Sequence, residues 1–152
     1  MDISTFTINL VVAMALGAVI GLERQLRQKS AGLRTNILVS MGAALYVLIS
    51  LKMTAGGEGD VTRIIGQIVT GVGFIGGGII FKKGADVHGL TTAATVWCSS
   101  AIGSMAGAGM ITEAAIGAGL VLVVNVVLTR VDKLIERRRK LRQEKHPEEG
   151  EL

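Results

Sequence analysis

The chain has 152 residues, room for one ordinary domain, and AVILMFWYC make up 49% of it while only 18% are charged. That balance excludes a disordered chain, and the lone cysteine, Cys98, excludes a disulfide framework. Aromatics at 3% argue against a nucleic-acid surface built on base stacking.

Five stretches contain no Asp, Glu, Lys or Arg: residues 3–22, 35–51, 64–81, 89–112 and 114–129. A helix crossing the hydrocarbon core needs about 17–25 apolar residues. The expected fold is therefore all-α: a polytopic membrane protein with a bundle of five transmembrane helices. Five such segments leave too little polar surface to coat a soluble globule.

The first segment lacks a basic leader and is longer than the apolar part of a signal peptide, so it reads as a retained span. Ala13, Gly17 and Gly21 recur at four-residue spacing, the pattern that lets helices approach closely in lipid. Asn9 reads as interhelical glue. At the segment's end, Glu23 and Arg24 face Arg34 across a short spacer. They suggest either an ion pair of Glu23 with Arg34 or Arg24, or a charged site at the mouth of the bundle. Thr35 opens the second segment.

The second spacer carries Asp60 three residues before Arg63, close enough to pair with it. Arg63, Gln67 and Thr70 then follow i, i+4, i+7 and share a helical face. The third segment is the outlier in glycine, with Gly71, Gly73, Gly76, Gly77 and Gly78. Each interior glycine weakens a helix by roughly 1 kcal/mol relative to alanine, so their density predicts close backbone approach or a local break. Gly71, Gly73 and Gly76 also match a dinucleotide fingerprint, but neither a strand-turn-helix unit nor a later acid supports that reading.

The fourth helix is expected from about Leu90 to Ala106, closed by Gly107-Ala108-Gly109. Thr91 and Thr92 open it. Residues 91, 95 and 98 share one face, as do 92, 95 and 99, and Ser99, Gly103 and Gly107 repeat at four-residue spacing. Trp97 and Cys98 read as packing. The fifth segment carries Ala115, Gly119 and Asn125. From residue 130 the chain is a charged tail whose start looks like a helix leaving the membrane, fraying after Pro147. The domain division is thus 1–129, membrane, and 130–152, cytoplasmic tail.

The net charge of +4 would suit a nucleic-acid binder, but the basic residues avoid the spans. With five helices, fourteen Lys and Arg fall on one side and two on the other. Cytoplasmic loops collect such residues, which places the N-terminus outside and the C-terminus in the cytoplasm. The tail reads as an anchor against anionic headgroups, not as a nucleic-acid site, because acids interleave its bases.

No constellation supports an enzyme. The two histidines, His88 and His146, lack metal spacing, and no carboxylate occupies the middle of a span. The polar candidates for a binding site are Glu23, Arg24, Arg34, Thr35, Asp60, Arg63, Gln67, Thr91 and Thr92. The candidates for helix packing are Gly17, Gly21, Gly71, Gly73, Gly76, Gly77 and Trp97.

Four ordered motifs carry a resemblance over about residues 5–128: Gly21-Leu22-Glu23-Arg24, Ala31-Gly32-Leu33-Arg34-Thr35, the run from Gln67 through Gly78, and the run from Gly89 through Trp97. Together they resemble the MgtC/SapB family of bacterial inner-membrane proteins. The sequence is similar to the short SapB-like type, without the C-terminal ACT-like domain of virulence-type members. It has Thr91 where several of those members have Asn. The resemblance implies a multi-pass protein of the bacterial inner (cytoplasmic) membrane, linked to magnesium limitation and, in some members, to restraint of the ATP synthase. On this reading the protein is a non-enzymatic regulator or accessory of magnesium and membrane-energy homeostasis that acts through helix contacts, as a homo-oligomer, expected to be a dimer. No cofactor is expected, with Mg2+ the one candidate ion. The alternative is a small ion transporter or channel with the third and fourth helices lining the pathway.

Overall fold

The structure is a computed structural model; it describes residues 1–57 and 59–145. Five helices follow in order: α1 (Ile3–Leu26), α2 (Leu33–Met53), α3 (Val61–Ile79), α4 (Leu90–Gly107) and α5 (Ile111–Lys145). A short antiparallel hairpin, β1 (Phe81–Lys83) and β2 (Asp86–His88), joins α3 to α4 and is an addition to the all-helical expectation. Its tip turns on Gly84 at positive φ, and Phe81 stacks on His88 across the strands at 5.5 Å. The expected fraying after Pro147 lies outside the described residues.

The helices start where side chains can satisfy their first amides. Asp2 caps α1 by accepting from the Thr5 amide, and Asp60 caps α3 by accepting from the Thr62 amide. Hydrogen bonds from the Thr5 and Thr62 hydroxyls, then from those amides, hold both carboxyls below the usual carboxylate range. Helix ends overrun the uncharged stretches. The α1 helix continues to Leu26 and α5 to Lys145, because a helix need not stop where the hydrocarbon does.

The chain forms two compact units, Met1–Val121 and a second beginning at Leu122. Within the first, α4 lies against α1, α2 and α3. Eleven of its eighteen residues are buried, among them Thr92, Thr95, Ser99, Ser100 and Ser104. The outer surface is the reverse: Val11, Leu38, Leu45, Phe74 and Leu120 are exposed. Small and hydroxylic residues inside, large apolar ones outside, is the arrangement lipid selects, since helices there associate by close approach and hydrogen bonds.

Among the described residues, four helices, Ile3–Leu26, Leu33–Met53, Val61–Ile79 and Ile111–Val131, are long and apolar enough to cross a membrane. The α4 helix is not among them, although five spans were expected. The reason is its hydroxyl content, which its neighbours cover.

Contacts sort the helix ends into two sets. At one end Arg24, late in α1, meets Thr92, early in α4, and Gln25 accepts from the Leu33 amide at the start of α2. At the other end Asn9, early in α1, donates to the Gly107 carbonyl that closes α4. The α3 helix finishes at the first end, where Ile79 adjoins Gly89.

Candidate functional site

The interior of the first unit is a column of polar contacts between α1, α2 and α4. Midway along it, the Ser40 hydroxyl donates to the Ala13 carbonyl at 2.7 Å, so α2 is tied to α1 backbone. Above, Asn36 donates to the Ala31 and Gly32 carbonyls at 3.1 and 2.9 Å and accepts from the Ser99 hydroxyl at 2.7 Å. Asn36, Ser40 and Ser99 are at most 0% exposed. Each partner removes a polar group that would otherwise be orphaned away from water.

Glycine makes this approach possible. A Cβ on Gly17 would meet the Asn36 carbonyl oxygen at 2.7 Å, and one on Gly21 would meet Leu33 Cα at the same distance. One on Gly107 would meet Ala44 Cα at 2.8 Å, and one on Gly103 would land on the Ser40 carbonyl. Backbones therefore touch along both α1–α2 and α2–α4.

At the top of the column sits the charged cluster. Arg24 is 1% exposed, and its Nη2 donates to Thr92 Oγ1 at 2.9 Å. Arg24 Nε has no hydrogen-bond partner among the described residues. Glu23 forms an ion pair with Arg27 Nε at 2.5 Å, although neither of its buried oxygens has a hydrogen-bond partner among the described residues, and it also acts on Arg24 electrostatically. The expected partners of Glu23 were Arg34 or Arg24, and both are corrected to Arg27. Arg27 stands one turn on along the same face, whereas Arg24 is rotated about 100° away and Arg34 is exposed.

Of the nine polar candidates, the structure joins Arg24 to Thr92, with Glu23 adjacent to Arg24 in the chain. Thr91 is exposed and Thr92 buried, one helical step apart. Thr35 is half-buried and yields the interior position to Asn36. Asp60 and Arg63 lie at the opposite end, both exposed, and meet through an Arg63 amide to Asp60 carbonyl bond. Gln67 is exposed on α3, where it helps line a groove of about 620 Å³ between α2 and α3, with Tyr46, Gly71 and Ser100.

The glycine candidates divide. Gly17 and Gly21 abut α2, and Gly76 faces Ala93 of α4 at 3.7 Å. Gly71, Gly73 and Gly77 have nothing within 4 Å of a Cβ, as do Gly66 and Gly78. Trp97 is 49% exposed and borders a smaller groove with Val69 and Val72.

Asn36 and Arg27 were not among the sequence candidates. The signal for Asn36 was present: it is the single amide in the second uncharged stretch, four residues before Ser40. Among the described residues, no group of three or more His, Cys, Asp or Glu could hold a metal ion. Glu23 and Asp60 belong to opposite ends. The acids present do not fit a protein-caged Mg2+, which wants convergent oxygens, and no step is assigned to one.

The model of the MgtC family matches residues 10–134. An uncharacterized protein of Synechocystis, slr0014, is 48% identical over 128 residues, covering 84% of this chain and 54% of the relative. Protein MgtC of Brucella abortus is 48% identical over 124 residues, covering 82% and 51%. Protein MgtC of Salmonella typhimurium is 47% identical over 123 residues, covering 81% and 52%. The chain spans about half the length of these curated relatives. No solved structure matches it significantly.

Proposed function

The chain belongs to the MgtC family, and from that premise we propose that it serves magnesium and membrane-energy homeostasis as a non-enzymatic regulator or accessory protein. It acts through helix contacts in the bacterial inner membrane. The observation that supports contact over catalysis is the outer face of α3. Gly66, Thr70, Gly73 and Gly77 form one stripe at i, i+4, i+7, i+11, pointing away from the buried Val72 and Gly76. This helix is the most amphipathic of α1 to α4. A polar, glycine-rich face turned outward in lipid gains most by meeting another helix. The occupant is a second copy, giving a dimer, or another membrane protein; the family resemblance implies the ATP synthase as one such partner.

Orientation follows from charge. Six of the eight Lys and Arg in residues 1–129 belong to the end shared by the close of α1 and the start of α4, against Lys52 and Arg63 at the other. That end is cytoplasmic by the positive-inside bias, and the N-terminus lies outside. Reporter fusions at Gly57 and at Lys145 are expected on opposite sides; both on one side overturns an odd number of spans.

The rival reading is a small ion transporter or channel with α3 and α4 lining the pathway. It is favoured by the groove that Gln67 and Ser100 share. Deleting the gene and co-purifying the protein at low magnesium decides between them. The regulator reading expects impaired low-magnesium growth and a co-purified membrane protein or second copy, with no ion flux in liposomes. Unchanged growth with no partner sinks it. Flux that is lost on Gln67→Leu transfers the case to the rival.

A further inference from the structure

Arg24 is 1% exposed, and its Nη2 donates to Thr92 Oγ1 while its side chain carries five N–H donors. Its carboxylate neighbour, Glu23, is engaged with Arg27. Glu23 is close enough to act on Arg24 electrostatically, but the buried Nε donor of Arg24 has no hydrogen-bond partner among the described residues, and leaving a buried donor unmet is costly, so the surroundings of Arg24 matter.

They are the first turn of α4. The helix begins on Gly89, at φ 91°, which has no side chain to cap the amides that follow. The first intrahelical bond runs from the Ala93 amide to the Gly89 carbonyl at 2.8 Å. The amides of Leu90, Thr91 and Thr92 precede it, and a helix start of this kind carries partial positive charge. Thr92 Oγ1 accepts from Arg24, which leaves its own proton to donate elsewhere. Thr91 adds an exposed hydroxyl beside it. A guanidinium of α1 and a hydroxyl of α4 therefore meet within one turn of the amides that open α4. Lys82 and Lys83 stand on the hairpin that leads into that turn.

We propose that the first turn of α4, together with Arg24 of α1, binds a phosphate group. Donors from several directions suit a tetrahedral oxyanion better than a planar carboxylate, and anion binding at a helix start follows from its free amides. Two acids stand near it, Glu23, which Arg27 offsets, and Asp86 of the hairpin, which lies opposite Lys83 in the strand register. The phosphate is that of a lipid headgroup or of a free solute; the chemistry is the same.

The test uses the full chain purified in nanodiscs. Inorganic phosphate is titrated against chloride at equal ionic strength, reading thermal stability. In parallel, phosphatidylglycerol retained from phosphatidylcholine discs is quantified by phosphorus NMR. Thr92→Val, which keeps the shape and removes the hydroxyl, and Arg24→Lys, which removes the planar fork, are each expected to weaken the phosphate interaction about tenfold. Lys52→Gln, at the opposite end, is expected to leave it unchanged. Saturable stabilisation by inorganic phosphate, weakened in Thr92→Val, identifies a free phosphate ligand. Retained phosphatidylglycerol that Thr92→Val releases, with no response to inorganic phosphate, identifies a headgroup. If neither probe distinguishes the native chain from Thr92→Val, the site does not exist. Should Arg24→Lys fail to fold, Thr92→Val alone decides.

Discussion

Gly103→Ala is expected to lower stability by about 3 kcal/mol or more, beyond the usual cost of overpacking. The added methyl would occupy the place of the Ser40 carbonyl oxygen, with Ser40 C and Cα both 2.7 Å away. Neither is the end of a flexible side chain, so α2 and α4 must separate. Separation would also strain the Ser40 to Ala13 bond and the Asn36 to Ser99 bond, which hold the same helices. The control is Gly73→Ala, where the new methyl meets nothing within 4 Å. There the helix gains the propensity difference, about 1 kcal/mol. Thermal unfolding in detergent, followed by Trp97 fluorescence, measures both. Equal effects of the two substitutions would refute the backbone contact between α2 and α4. If the outer stripe of α3 is the contact face, Gly73→Ala should also weaken self-association while raising the stability of the single chain.

Asn36→Leu is the second large effect. It removes two donors from the Ala31 and Gly32 carbonyls and leaves the Ser99 hydroxyl without its acceptor. Stranding buried polar groups costs about 1–3 kcal/mol each, although interhelical bonds in membranes average nearer 0.6 kcal/mol when both partners are removed. The expected loss for the single change is therefore about 2–3 kcal/mol, and adding Ser99→Ala should recover part of it. A double-mutant cycle gives the coupling directly. Strict additivity of Asn36→Leu and Ser99→Ala would mean that the two side chains do not interact.

Much of the helical frame was legible because lipid-facing helices announce themselves by missing charges. The close of α4 at Gly107 was readable from its glycines, and spacing gave two candidate polar faces of α4, 91/95/98 and 92/95/99, of which the structure buries the second. Other features were hidden for identifiable reasons. The hairpin is two three-residue strands whose alternation is masked by Lys82 and Lys83 side by side. The interior role of Asn36 depends on the rotation of α2, which Thr35 next to it leaves ambiguous by one helical step. The glycines of the third stretch predicted close approach or a local break, and only contacts could reveal that Gly76 packs on Ala93 at ordinary distance while Gly66, Gly73 and Gly77 meet nothing within the chain. Arg24 and Thr92 stand 68 positions apart. Their meeting required knowing that α1 ends where α4 begins.

The hydroxyl-lined α4 has a consequence for how the chain is made. On its own it is a poor candidate for release into lipid, because its serine and threonine hydroxyls make transfer into lipid less favourable. Its socket includes Asn36, Ser40 and Ala44, all of which leave the ribosome before it does. Synthesis order thus delivers the receptacle first and the insert afterwards. A circular permutant that presented α4 ahead of α1 and α2 would ask the insertion machinery to hold an unsheltered polar helix until its berth arrived.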